Sequence, residues 1–199
     1  MNKNILKGFT LLALTFGILS CEKEFDDNSL APTEDRIANI PVTVTNAEFF
    51  ELYPIKTTSV AAGGKFSINF QIPADKGKIK EISRVTTGTS IGLPNVQAGS
   101  ISTAYNTTGS GTTLTVSPIA GNGTNEIVFS SDLATYTAYR NRIGTNAGPS
   151  GPATTTGGPV TAPVPSTTQS PTEITYYFLL TLEDNTTVIP MPVRVRVVQ

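Results

Sequence analysis

Ile174-Thr175-Tyr176-Tyr177-Phe178-Leu179-Leu180-Thr181-Leu182, a polar turn at Asp184-Asn185-Thr186, and Ile189-Pro190-Met191-Pro192-Val193-Arg194-Val195-Arg196-Val197 together decide the fold class. Successive side chains of a strand point to opposite faces. Ile174, Tyr176, Phe178, Leu180 and Leu182 therefore form one buried face. Ile189, Met191, Val193, Val195 and Val197 form the facing set, with Pro190, Pro192, Arg194 and Arg196 turned the other way. The prolines place the first half of this second strand at an edge or leave it unpaired. The outward arginines discourage pairing with another chain. A two-stranded hairpin is marginal alone, so this one needs partners from earlier in the chain.

Two earlier segments can supply them. Phe66, Ile68, Phe70 and Ile72 alternate with polar residues in the cleanest half-buried strand of the N-terminal half. A turn follows at Pro73-Ala74-Asp75-Lys76-Gly77, and then a strand from Ile79 to Thr86. Its Ile79, Ile82 and Val85 also suit a helix, or a strand carrying a bulge. Shorter strands are expected at Val42–Val44, Leu114–Val116 and Glu126–Ser130, and a weaker one near Ile101–Tyr105. Tyr53-Pro54 reads as a break and Ala61-Ala62-Gly63-Gly64 as a turn. Asp132–Ile143 reads as a helix capped by Ser130 or Ser131, with Leu133, Tyr136, Arg140 and Ile143 on one face and Tyr139 at its margin.

Residues 144–172 are rich in Gly, Pro and Thr, a composition that buries too little apolar area to offset ordering. They read as a long mobile loop within one module, residues 39–199. The fold class expected is all-β.

Composition removes several functions. The chain has no His, which excludes Ser-His-Asp and Cys-His catalysis and His metal sites. It has no Trp, leaving Tyr as the aromatic platform for a sugar. Residues 22–36 hold six acids against two bases, whereas residues 37–199 hold ten bases against nine acids. The folded part thus lacks the concentrated basic surface that nucleic acid requires.

The N-terminus has the layout of a secretory signal over residues 1–20: Lys3 and Lys7, then an apolar run from Phe9 to Leu19. That run is short for a membrane-crossing helix, which needs about 20 residues. It ends in Ile18-Leu19-Ser20-Cys21, which resembles the lipobox of bacterial lipoproteins. The resemblance implies diacylglycerol on the Cys21 thiol and cleavage before it. Cys21 is the only cysteine in the chain, and an exported protein with one unpaired thiol is unusual unless that thiol is consumed. Glu22-Lys23-Glu24-Phe25-Asp26-Asp27 resembles the acidic export signal of Bacteroidota surface lipoproteins. It implies an outer-membrane protein facing the cell exterior; a solvated acidic leader on a periplasmic protein has the same composition. Residues 21–38 read as a lipidated acidic linker.

About seven short strands, one helix before the penultimate strand and a terminal hairpin resemble an immunoglobulin-like or fibronectin-III-like Greek-key β-sandwich. Gly63-Gly64-Lys65-Phe66-Ser67-Ile68 is similar to the second strand of such domains. Tyr176-Tyr177-Phe178 is similar to the penultimate strand, with Tyr176 as its corner tyrosine and Phe178 where a cysteine would stand. A jelly roll or another Greek-key sandwich gives the same pattern.

The functional expectation is a non-catalytic module that binds glycan or protein partners. Tyr105, Tyr136, Tyr139, Arg140 and Arg142 are the candidate contact residues, since Tyr and Arg are favoured at interfaces. A structural subunit of a membrane complex is the alternative. A glycosidase working through two carboxylates needs no His, but Glu48, Glu51, Asp75, Glu81, Glu126, Asp132, Glu173, Glu183 and Asp184 form no motif, and most sit at expected turns or strand ends. Glu183-Asp184-Asn185 could bind Ca²⁺ through oxygens, but a polar hairpin turn is by far the better explanation. No cofactor or metal is expected.

Overall fold

The computed structural model describes residues 39–88, 91–143 and 161–199. The expected signal, Cys21, the acidic leader and most of the Gly/Pro/Thr loop lie outside them. Every described element falls within one compact unit, Ala38–Gln199, and the class is all-β.

Twelve strands are described. A three-stranded sheet contains β1 (Thr43–Val44), β4 (Lys65–Gln71) and β9 (Glu126–Asp132), in the order β1-β4-β9. The larger sheet runs β2 (Phe49–Glu51), β3 (Tyr53–Ser59), β12 (Val193–Val198), β10 (Glu173–Leu182), β5 (Ile79–Thr87), β8 (Ile119–Ala120). β11 (Thr187–Val188) pairs with the far half of β10. β6 (Thr107–Thr108) and β7 (Thr115–Val116) make a separate ribbon. All pairings are antiparallel except β3 with β12, which is parallel from Ile55↔Arg194 to Ser59↔Val198.

The two larger sheets share one core. Phe70 of β4 meets Phe178 of β10 edge-on at 4.7 Å between ring centroids, and Phe129 of β9 meets Phe178 at 5.2 Å. Phe66, Ile68, Phe70 and Ile72 are all buried, as are Ile174, Tyr176, Phe178, Leu180 and Leu182. Burying one such side chain contributes about 1.5–3 kcal/mol.

The spacing of Ile79, Ile82 and Val85 resolves as two bulges. β5 pairs with β10 through Leu182↔Ile79, Thr181↔Glu81, Leu180↔Ile82 and Leu179↔Arg84, so Lys80 and Ser83 each have no opposite number. Each extra residue shifts the alternation by one. A three-residue spacing thereby delivers all three side chains, none of them exposed, to a single face.

Several expectations are corrected. Tyr53-Pro54 is not a break but the start of β3. Pro54 lies before Ile55, the first residue paired with β12, so its missing N–H costs that ladder nothing. The turn is Leu52, at φ 51°. The terminal hairpin pairs with β5 but not with β4; its second partner is β3. β12 is therefore interior, and its arginines do not guard an edge. The facing set also breaks: Met191 is exposed and Pro190 buried, because residues 189–192 lie between β11 and β12. Ile101–Tyr105 is not a strand, and a short helix, α1 (Leu93–Gln97), precedes it.

The second helix, α2, spans Leu133–Ile143 and buries Leu133, Tyr136, Tyr139, Arg140 and Ile143. Its cap is Asp132, whose Oδ1 accepts the Thr135 N–H at 2.7 Å, rather than either serine. Gly64 adopts φ 69°, and its carbonyl accepts the Leu133 N–H at 3.1 Å. A Cβ there would fall 2.9 Å from Leu133 Cγ, so this glycine lets the turn after β3 seat the start of α2.

Candidate functional site

α2 and the segment before β6 bring Tyr105, Tyr136, Tyr139 and Arg142 together, with the polar groups of Tyr139 and Arg142 turned inward. Tyr105 contacts Tyr139 at 4.9 Å and Tyr176 at 5.5 Å, and Tyr136 contacts Tyr176 at 6.4 Å. The Arg142 guanidinium stands over the Tyr139 ring at 5.2 Å. It donates to the Ser102 carbonyl at 3.1 Å and to the Ala104 carbonyl. The Tyr139 hydroxyl shares its proton between the carbonyls of Thr87 and Thr103, at 3.0 and 2.8 Å. Arg140 is buried, with its guanidinium packed where a Cβ on Gly88 would stand. The polar atoms of Tyr139 and Arg142 thus hold the otherwise irregular segment 102–105 against the core.

Burial sets the electrostatics of this cluster. It raises the Tyr139 phenol far above the ordinary range, against the hydrogen bond to Thr87 and the charges of Arg142 and Arg140. It raises Tyr136 likewise, partly offset by Arg140. Tyr105 is raised by burial, with the Ser131 hydroxyl pulling the other way. Burial also lowers Arg142, opposed by Tyr139. Tyr176 is the most buried of the set and its phenol is pushed up by the same cause. All of these shifts keep the tyrosines neutral.

Tyr105 reaches a surface feature. It forms part of a cleft of about 850 Å³, bounded by β3, β4, β8, β9 and the first turn of α2. Phe66, Phe129 and Tyr105 give the cleft an apolar floor, and the Tyr105 hydroxyl lies 2.6 Å from Ser131 Oγ. Its rim is polar. Ser67 and Ser130 face each other across the β4–β9 ladder, and Lys65 faces Asp132 two residues along it. Thr107 and Thr135 complete the hydroxyl set. Lys56, also on the rim, is paired with Glu48. Asp132 is the only carboxylate of the cleft, and it is engaged as the α2 cap. Of these rim residues, only Asp132 was named from the sequence for its chemistry, as an acid in no motif. They come from four distant segments, each outward-facing where the local pattern marks only solvent.

Glu183-Asp184-Asn185 forms the hairpin turn. The Asp184 carboxylate accepts the Thr186 N–H at 2.9 Å and its hydroxyl at 3.0 Å, and Asn185 sits at φ 65°. Among the described residues no group of three or more metal-ligating acids occurs. Also among them, no helix is long and apolar enough to cross a membrane.

No protein-family model matches the chain, and neither a curated protein nor a solved structure matches it.

Proposed function

We propose that this is an exported lipoprotein, anchored through Cys21, whose domain is an immunoglobulin-like sandwich that serves as a non-catalytic binding module. The sandwich reading is supported by the strand order. β1-β4-β9 packs against β3-β12-β10-β5-β8, the first long strand runs parallel to the last, and a helix joins β9 to β10. The anchor reading rests on the lone thiol between an apolar run and an acidic leader. The acidic leader supports display on the outer face of the outer membrane.

The observation that carries the binding reading is the cleft: an aromatic floor under a rim of hydroxyls and two lysines, of which Lys56 is paired with Glu48 and Lys65 is in no ion pair among the described residues. Sugars present both apolar faces and hydroxyls, and this lining offers a partner to each. The ligand class is therefore a glycan, with Lys65 placed to meet a carboxylate or sulfate substituent. Glycan-array binding by the chain from Cys21 onward tests it. Saturable binding that falls at least about tenfold in Lys65→Ala/Thr135→Ala, roughly 1.4 kcal/mol, is the expected result. Binding untouched by that variant moves the site elsewhere, and no binding to any glycan removes the reading. Palmitate labelling of the wild type and of Cys21→Ser tests the anchor separately.

A further inference from the structure

The β2–β3 hairpin stands out from the rest of the surface. Phe49 is 52% exposed, Phe50 68% and Leu52 74%. Phe49 and Phe50 are adjacent in a strand, so they project from opposite faces, and Leu52 occupies the tip at positive φ. The hairpin is thus apolar on both sides and at its end. Most other exposed large apolar residues, such as Val60, Ile101 and Val128, lie apart on separate elements, which is ordinary.

The charges along the finger are matched internally. The Glu51 carboxylate pairs with Arg196 at 2.9 Å, and Arg196 also covers the Phe49 ring at 5.7 Å. Arg194 covers the Tyr53 ring at 5.6 Å. Glu48 pairs with Lys56. A finger whose ions are already paired leaves water at less cost than one carrying free charge.

Its position matters as much as its composition. Phe50 shares a groove of about 180 Å³ with Val42, Val44, Pro54, Pro190 and Met191. Val44 belongs to β1, the first described strand, and Val42 immediately precedes it, so the first described residues run beside the finger. Even fully extended, at roughly 3.5 Å per residue, residues 22–38 span no more than about 60 Å.

We infer that the β2–β3 finger is a second membrane contact, inserting Phe49, Phe50 and Leu52 into the leaflet that holds the lipid on Cys21. This rests on the anchor reading given above. A rigid protein surface covers one face of such a finger, whereas the fluid interface of a leaflet surrounds both faces and the tip. Aromatic and aliphatic side chains on a polar scaffold suit that interface. The tether confines the finger near the leaflet, so a contact too weak to recruit a free protein still forms.

The test uses two properties of the chain: it contains no Trp, and Cys21 is its only cysteine. The chain from Cys21 onward, which includes the whole compact unit, is coupled through that thiol to maleimide-lipid vesicles of phosphatidylethanolamine and phosphatidylglycerol. The coupling supplies the tether whether or not cells lipidate Cys21, so a failed palmitate label leaves this experiment readable. Phe50→Trp and Leu52→Trp each provide a single reporter, and Val128→Trp on β9 is the control. The expected result is blue-shifted emission from the first two, quenched about twofold or more by brominated phospholipid, with the control unquenched. Emission typical of water-exposed indole, or a blue shift insensitive to brominated lipid and dependent on protein density, overturns the inference; the latter outcome assigns the finger to a second copy of the chain.

Discussion

Glu173 illustrates how much a single side chain can hold. Its carboxylate receives Arg194 at 2.8 Å and Arg196 at 2.7 Å, tying β10 to β12 at the level where Glu173 faces Arg196. Burial pushes its pKa up, but the hydrogen bonds and charges of Arg196 and Arg194 outweigh that and hold it below the usual range. A carboxyl whose folded pKa is depressed stabilises the fold above its unfolded value, and that contribution disappears as pH falls through the folded value. Glu173→Gln is expected to lose about 1–3 kcal/mol at neutral pH. The difference from wild type should shrink below about pH 4; denaturant titration across pH checks both. Tyr139→Phe is expected to cost about 1–3 kcal/mol by removing the proton shared with Thr87 and Thr103, read as a lower denaturation midpoint. The inward turn of Tyr139 and Arg142 was not legible in the sequence. Their partners are backbone carbonyls, of Thr87 and of segment 102–105, which carry no side-chain signature.

At the scale of elements, what was legible followed from alternation, and what was missed followed from its interruption. β4 and β10 keep a clean period of two, and both are found as expected. β3 was hidden because Pro54 imitates a stop, although it sits where no donor is needed. β5 mixed two periodicities because Lys80 and Ser83 are extra residues. One glycine supports that irregularity. Gly121, just past β8, lies so close to β5 that a Cβ would be 2.2 Å from the Ile79 carbonyl oxygen. Gly123 has open space around its Cβ position but sits at φ 77°. Gly123→Ala is expected to cost about 1–2 kcal/mol of backbone strain. Gly121→Ala must displace backbone and should cost more, about 3 kcal/mol or above. Comparing the two melting curves decides whether the β5–β8 contact is as tight as described; equal losses would contradict it.

For the whole molecule, the decisive fact is that the central strands of the larger sheet come from opposite ends of the domain. β10 joins β5 to β12, and β12 joins that group to β3. A chain ended after Ile143 retains β3 and β5 but loses everything between them. Such a fragment is expected to lack a cooperative unfolding transition, whereas residues 21–199 should unfold in one step; circular dichroism with thermal melting distinguishes the two. That the terminal hairpin needs strands from earlier in the chain was legible because it could not stand alone. The cleft was not, since Lys65, Thr107, Ser130 and Thr135 meet only after the sheets have formed.

The parallel alignment of β3 and β12 also governs how the domain bears load. A tether entering ahead of β1 and a pull applied at Gln199 draw these two strands past each other along their length. The bonds from Ile55–Arg194 to Ser59–Val198 are then strained together rather than opened one after another. Traction on the C-terminus thus meets a shear-resistant clasp that must rupture as a unit. Force spectroscopy should record a single high rupture peak, which disappears when β12 is interrupted by Val195→Pro.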